Sequence, residues 1–341
     1  MHLLEFLYYL GFSVKQYYSV THQKRLPCRV ISIGNITVGG TGKTPATIAV
    51  AKEAQKRGMR PVILTRGYRG KAKGPCFVTK GKSPLLSAED AGDEPVLMAE
   101  RLDGVPIVKG GNRFEAGMFA IREMPIGDSE FDKYVFILDD GFQHRGLHRD
   151  KDIVLIDAGD PFGKGMLLPF GRLREPVKSL ARADIIVLTK AGGNAGQGEL
   201  YGIDMLREKI NCYKEKSRVF LSDHTPVSCV LPSGRENPAD WLSSKKVFVF
   251  CALGSPDSFL RTLSESGADI RGLRAYKDHY QYTQEDISGI KTEAEESGAE
   301  WIVTTEKDII KIRNLDLPDN ISVVKVVFAV NDDFYEEVFG L

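Results

Sequence analysis

"RVISIGNITVGGTGKTP", residues 29–45, is the stretch on which the fold turns. The apolar run Val30-Ile31-Ser32-Ile33 opens into a loop holding Gly39, Gly40 and Gly42, and a helical pattern begins at Lys43, Thr44 and Pro45. A loop of this kind aims its unpaired amides, and the N-terminus of the helix behind it, at one point, which suits a phosphate. An ordinary strand-to-helix turn needs one glycine, not three followed by a lysine and a hydroxyl. The spacing predicts that Gly39, Gly40, Thr41, Gly42, Lys43, Thr44 and Pro45 cradle a nucleotide, with Lys43 reaching its terminal phosphates and Thr44 a magnesium ion. Thr37 stands where the usual G-x-x-x-x-G-K-[ST] pattern begins with glycine.

Such a site also needs a carboxylate at the end of a neighbouring strand. "YVFILDDGFQH" (134–144) supplies Asp139 and Asp140 after an apolar run. Adjacent residues of a strand point to opposite sides, so one of the two is expected to touch the metal directly. His144 and Gln143 follow closely and read as residues that orient the carboxylates. On this evidence an ATPase, a GTPase and a kinase all remain open.

Strand patterns at 29–34, 61–67, 134–140, 152–158 and 183–190 alternate with helical patterns at 43–57, 93–103, 112–123 and 202–211. That alternation predicts an α/β fold of the P-loop NTPase type, a mostly parallel sheet flanked by helices. Turn formers in "HTPVSCVLPSGRENP" (224–238) mark a junction. Beyond it, strands near 246–252, 301–305 and 322–330 and helices near 256–266, 284–297 and the C-terminus form a smaller α/β domain. The expected organisation is an N-terminal helix over 1–22, a kinase-like core over 23–222 and a second domain over 223–341 that closes the cleft.

The chain has 341 residues, 42% apolar and 27% charged, with 46 basic residues balancing 46 acidic ones. That balance argues against nucleic acid as a partner. The five cysteines are scattered and form no C-x-x-C pair, so neither a zinc site nor a disulfide framework is expected, and a reducing compartment fits best. No secretory signal is recognisable. In "MHLLEFLYYLGFSVKQYYSV" (1–20), Leu3, Phe6, Leu7, Leu10, Val14, Tyr17 and Tyr18 share one helical face, with Tyr8 and Phe12 roughly opposite. The run Phe6–Phe12 falls far short of the roughly 20 residues that span a bilayer. Lys15, Lys24, Arg25 and Arg29 outnumber Glu5 nearby, which favours an interfacial helix on anionic lipid. A helix docked on the protein's own core would show the same periodicity.

Six further polar clusters lie along the chain: "TRGYRG" (65–70), "AGDEPVLMA" (91–99), "GNR" (111–113), "LPFGRLREP" (168–176), "KDHYQYT" (277–283) and "TTEKD" (304–308). Taken in order with the phosphate loop and "DDGFQH", they resemble the tetraacyldisaccharide 4'-kinase family of lipid A biosynthesis, over nearly the whole chain, and Thr37 is no departure from that family's loop. The resemblance implies a P-loop kinase that uses ATP and Mg2+ to phosphorylate the 4'-hydroxyl of a tetraacyldisaccharide 1-phosphate, giving lipid IVA. It implies a peripheral protein at the cytoplasmic face of the bacterial inner membrane, with the N-terminal helix on the membrane surface.

By the same resemblance Asp93 is the catalytic base and His279 the partner that orients it, with Lys43 at the transferring phosphate. A carboxylate in reach of a sugar hydroxyl can take its proton as the bond to phosphorus forms. Without the family, an Asp just before a helix reads more readily as a cap, with Pro95 in the first turn. Arg113, Arg172 and Arg174 are the expected contacts to the acidic acceptor or the transferring group, and Tyr68 is expected to face the nucleotide or the sugar. Two other readings compete. A partition-type switch ATPase has a similar loop but a signature lysine where this chain has Val38. A GTPase chaperone would want an aspartate two residues after Thr189-Lys190.

Overall fold

The computed structural model describes residues 2–124, 126–191, 202–214 and 217–340. They form two compact units, Met1–Asp223 with Ala329–Leu341, and His224–Phe328. The second domain expected over 223–341 thus cedes its last stretch to the first unit.

In the first unit α1 (Leu3–Thr21) precedes β1 (Arg29–Gly34), α2 (Lys43–Lys56), β2 (Arg60–Thr65), β3 (Cys76–Lys80), α3 (Ala88–Ala91), α4 (Asp93–Arg101), β4 (Pro106–Lys109), α5 (Arg113–Glu123), β5 (Tyr134–Asp139), β6 (Lys151–Asp157), β7 (Ile185–Thr189), α6 (Ile203–Asn211) and the start of β8 (Arg218–Val230). Strand order is β8-β7-β6-β1-β5-β2-β4-β3, parallel except for the antiparallel β3–β4 edge pair. Strands covered on both faces read as continuous Val/Ile/Leu runs, and β1, β2, β5 and β7 are buried along nearly their whole length. Val30, Val62, Leu64, Phe136 and Leu138 pack with Ala116 and Ala120 of α5. Val154, Ile156, Ile186 and Leu188 pack with Leu206 and Ile210 of α6. Between β5 and β6, the strand β1 feeds the glycine loop into the crevice at the carboxyl ends of the strands, where such sheets bind ligands.

The helix α1 docks on the unit by one face and leaves its apolar face exposed. Glu5, Tyr8, Tyr9 and Gln16 turn towards the unit, the two tyrosines packing on the cluster around Ile36 and Phe142. Leu3, Phe6, Leu7, Leu10, Val14, Tyr17 and Tyr18 all stay exposed, from 46% to 76%. Among the described residues no helix is long and apolar enough to cross a membrane.

The second unit contains β9 (Glu236–Pro238), antiparallel to the end of β8, then β10 (Lys246–Cys251), α7 (Pro256–Glu265), β11 (Asp269–Ala275), α8 (Gln284–Glu296), β12 (Trp301–Thr305), α9 (Glu306–Ile312) and β13 (Ile321–Val330). The order β11-β10-β12-β13 is parallel throughout. Thr283 and Asp286 start α8 with a capping box, and the Thr305 hydroxyl caps α9. The buried Asp308 also receives hydrogen bonds from the Tyr282 hydroxyl (3.1 Å) and the Lys311 ammonium (3.1 Å), so this part of "TTEKD" builds the fold.

The C-terminal helix, α10 (Asp332–Phe339), returns to the first unit for specific reasons. Phe334 is fully buried and meets Phe220 edge-on, Arg57 pairs with Glu336 (2.6 Å), and Arg29 donates to the carbonyls of Val338 and Phe339.

Candidate active site

The phosphate loop is braced on both flanks. Gly42 precedes α2 in the left-handed region, and Gly39 has φ 124, where a Cβ would also stand 2.1 Å from the Arg172 guanidinium. Arg172 holds this limb through both backbone and side chain: its carbonyl accepts from Val38 N (2.7 Å), its Nε donates to the Val38 carbonyl (3.0 Å), and it pairs with Asp160 (2.6 Å). On the other flank Lys190 at the end of β7 donates to the Gly40 carbonyl (3.1 Å) and pairs with Asp157 (2.5 Å). Inside the loop the Asn35 amide donates to the Thr41 hydroxyl (2.9 Å). Lys43, Thr44 and Pro45 open α2, all partly buried.

The two carboxylates after β5 differ sharply. Asp139 is buried and accepts hydrogen bonds from the hydroxyls of Thr65 (3.1 Å) and Thr47 (3.4 Å). Burial, with the negative charges of Asp140 and Glu94 nearby, pushes its pKa up to about 6. Asp140 turns out of the strand with φ 50. Burial pulls its pKa upward as well, but the Lys43 ammonium at 3.7 Å and the Arg174 guanidinium, 2.9 Å from both oxygens, hold it below the ordinary value.

Around them lies a polar network that residue types alone do not reveal. Gln143 donates to the Asn35 carbonyl (2.7 Å) and to the wholly buried Glu175 (2.7 Å), and its Oε1 accepts from Arg174 (3.3 Å). Arg182 completes it, pairing with Glu175 at 2.8 Å and stacking on Phe142. Burial and the neighbouring Arg113 lower the His144 pKa to about 4, so the ring is neutral, and its Nε2 accepts from Arg113 N at 3.4 Å. The Arg113 guanidinium is itself buried and donates to the carbonyls of Gly110 (2.6 Å) and Asp139 (3.4 Å). In this state its side chain shapes the floor of the site. Arg172 and Arg174 likewise hold the loop and Asp140.

Asp93 begins α4 and is buried. Gly92 ahead of it has φ 99, and a Cβ there would stand 2.7 Å from the Tyr68 carbonyl, so "GDEP" and "RGYRG" approach each other through that glycine. Beside them a cleft of about 410 Å3 is lined by Arg66, Tyr68, Arg69, Lys109 and glycines 67, 70, 74, 110 and 111. Its lining is cationic, and the exposed Tyr68 ring lies against Arg69. Asp93 belongs to the first unit and His279 to the second. Within the second unit His279 takes φ 61, and its Nε2 lies 3.5 Å from the Lys307 ammonium, which pairs with Asp278 at 3.0 Å.

Comparison with known proteins decides between the competing readings. The family model described as "Tetraacyldisaccharide-1-P 4'-kinase" matches residues 1–339. The chain belongs to the tetraacyldisaccharide 4'-kinase family. A relative from Syntrophus aciditrophicus named tetraacyldisaccharide 4'-kinase is 43% identical, covering 86% of this chain and 77% of that protein. Another of the same name from Halothermothrix orenii is 38% identical, covering 85% and 75%. The crystal structure of an "apo" form LpxK from Aquifex aeolicus in complex with ATP superposes with a TM-score of 0.74 at 30% identity, covering 98% of this chain and 96% of that one. Membership sets aside the switch ATPase and the GTPase chaperone, and it places the chain among the kinases of lipid A biosynthesis. Of the site residues, Asp157, Asn35, Glu175 and Arg182 carried no expectation. Lys190 has a signal in "LTK", a pattern that suits a guanine base, and in the structure it braces Gly40.

Proposed function

We propose that this protein transfers the γ-phosphate of ATP to the 4'-hydroxyl of a tetraacyldisaccharide 1-phosphate at a membrane surface. The observation that carries the reading is the braced glycine loop with Lys43 3.7 Å from Asp140, set in a chain of this family. Loop amides and Lys43 bind the β- and γ-phosphates, and Arg174 keeps Asp140 ionised beside Lys43. The residues fit a magnesium ion: the buried Asp139 carboxyl, which lies among acidic neighbours that a cation would offset, and the Thr44 hydroxyl are the protein oxygens to hold it, and Mg2+ typically keeps waters and phosphate oxygens as its other ligands. When bound, the ion would neutralise charge on the phosphate oxygens.

Asp93 takes the proton of the 4'-hydroxyl, and His279 tunes that carboxylate. Tyr68 and the cationic cleft suit a phosphorylated sugar headgroup. The exposed apolar face of α1 rests in the lipid interface at the cytoplasmic face of the inner membrane, and the acyl chains of the acceptor stay in the bilayer. The test is transfer of labelled γ-phosphate to the lipid in mixed micelles. Lys43→Ala and Asp93→Ala are expected to lower kcat by at least 100-fold with an unchanged melting temperature. His279→Ala should lower kcat. Near-normal turnover by a folded Asp93→Ala protein would remove the assigned base.

A further inference from the structure

The docked face of α1 makes hydrogen bonds to Arg174, which holds Asp140, and to Gln143, which accepts from Arg174. A helix that served only to pack on the core would be expected to turn its apolar residues inward. Here they face outward, and the inward face carries two phenols, an amide and a carboxylate. The Tyr8 hydroxyl donates to the Arg174 carbonyl (2.7 Å), and the buried Gln16 amide donates to the Gln143 carbonyl (3.0 Å). Glu5, also buried, accepts from Leu167 N (2.9 Å) and fixes the start of the helix. Arg174 and Gln143 are the residues whose side chains grip Asp140 and the Asn35 carbonyl at the root of the phosphate loop. Arg174 N also donates to the Ile36 carbonyl at 2.8 Å.

We propose that Tyr8 and Gln16 are positioning residues for phosphoryl transfer: through the backbones of Arg174 and Gln143 they set the Arg174–Asp140 clamp beside Lys43. The inference rests on the kinase reading of this site. It makes α1 a part of the transfer site as well as a lipid contact. Point hydrogen bonds to backbone fix a loop's position where apolar packing leaves it free to slide.

The test uses the full-length protein with Tyr8→Phe, which removes one oxygen, and separately Gln16→Met, which keeps the shape and removes the donor. Each is measured by lipid-dependent phosphate transfer and by adsorption to anionic vesicles of phosphatidylglycerol and phosphatidylethanolamine. The expected result is a five- to tenfold loss of kcat with the KM for lipid and the vesicle adsorption unchanged. In an Arg174→Lys background, Tyr8→Phe should cost nothing further, because the clamp it positions is already lost. An unchanged kcat in both variants, or a Tyr8→Phe loss that multiplies fully with Arg174→Lys, would overturn the proposal while leaving the kinase reading intact. A wild-type protein that transfers no phosphate to lipid would overturn that reading, and this inference with it.

Discussion

Asp139 and Asp140 occupy adjacent positions and have opposite electrostatics, and the difference comes from what each one faces. Asp140 leaves the strand into a left-handed turn and meets Lys43 and Arg174; Asp139 stays in the sheet among hydroxyls. A folded-state carboxyl pKa near 6, above the ordinary 3.8, means that the native state binds the proton more tightly than the unfolded chain. The stabilisation is complete below about pH 4 and is lost as pH rises through about 6. Asp139→Asn is therefore expected to stabilise the nucleotide-free protein at pH 7.5, by on the order of 2 kcal/mol in chemical denaturation, while lowering transfer by at least 100-fold. A variant less stable than wild type at that pH would contradict the assignment of charge. The carboxylate pair was legible as "DD" after an apolar run, but its division of labour was not, because a left-handed turn at a single aspartate leaves no periodic trace. Arg113 shows the same limit: sequence presents it as a cation for an acidic acceptor, and only tertiary burial shows it spent on the carbonyls of Gly110 and Asp139.

Among the elements, the phosphate loop was the most legible, since three glycines before Lys43 admit few alternatives. What the sequence did not disclose is how the loop is braced, because Arg172 and Lys190 reach it from far along the chain. Gly39→Ala combines an unfavourable φ with a clash against Arg172, and it is expected to cost about 1–3 kcal/mol of stability and to raise the KM for ATP. Lys190→Met keeps the stem and removes the ammonium. It should raise the KM for ATP several-fold while sparing the KM for lipid, and equal changes in both would argue against a brace on the nucleotide side. Strands β3, β4 and β11 escaped expectation: β4 spans only four residues, and β11 alternates between exposed and half-buried positions around Gly272. For α1, periodicity identified the apolar face and could not say what covers it. Leu7→Ser with Val14→Ser should weaken adsorption to anionic vesicles about tenfold, taking roughly 1 kcal/mol or less for each partly inserted side chain. Unaltered adsorption would show that this face serves something other than lipid.

The whole molecule pairs a nucleotide-binding sheet with a second α/β unit, and its chain returns at the end so that α10 seals the first. The junction after residue 222 was visible as a run of turn formers. The return was not, because a short terminal helix has the same pattern whichever core receives Phe334. Balanced charge and an apolar N-terminal face fit an enzyme whose acceptor is a lipid headgroup and whose donor is soluble. The measurement that tests this account most directly is the lipid dependence of ATP turnover: γ-labelled ATP and Mg2+ with wild-type protein in mixed micelles, with and without tetraacyldisaccharide 1-phosphate. Label is expected at the 4'-position of the lipid in step with ADP formed, with negligible ADP without the acceptor. ADP formation at equal rate in both samples, with no labelled lipid, would contradict it.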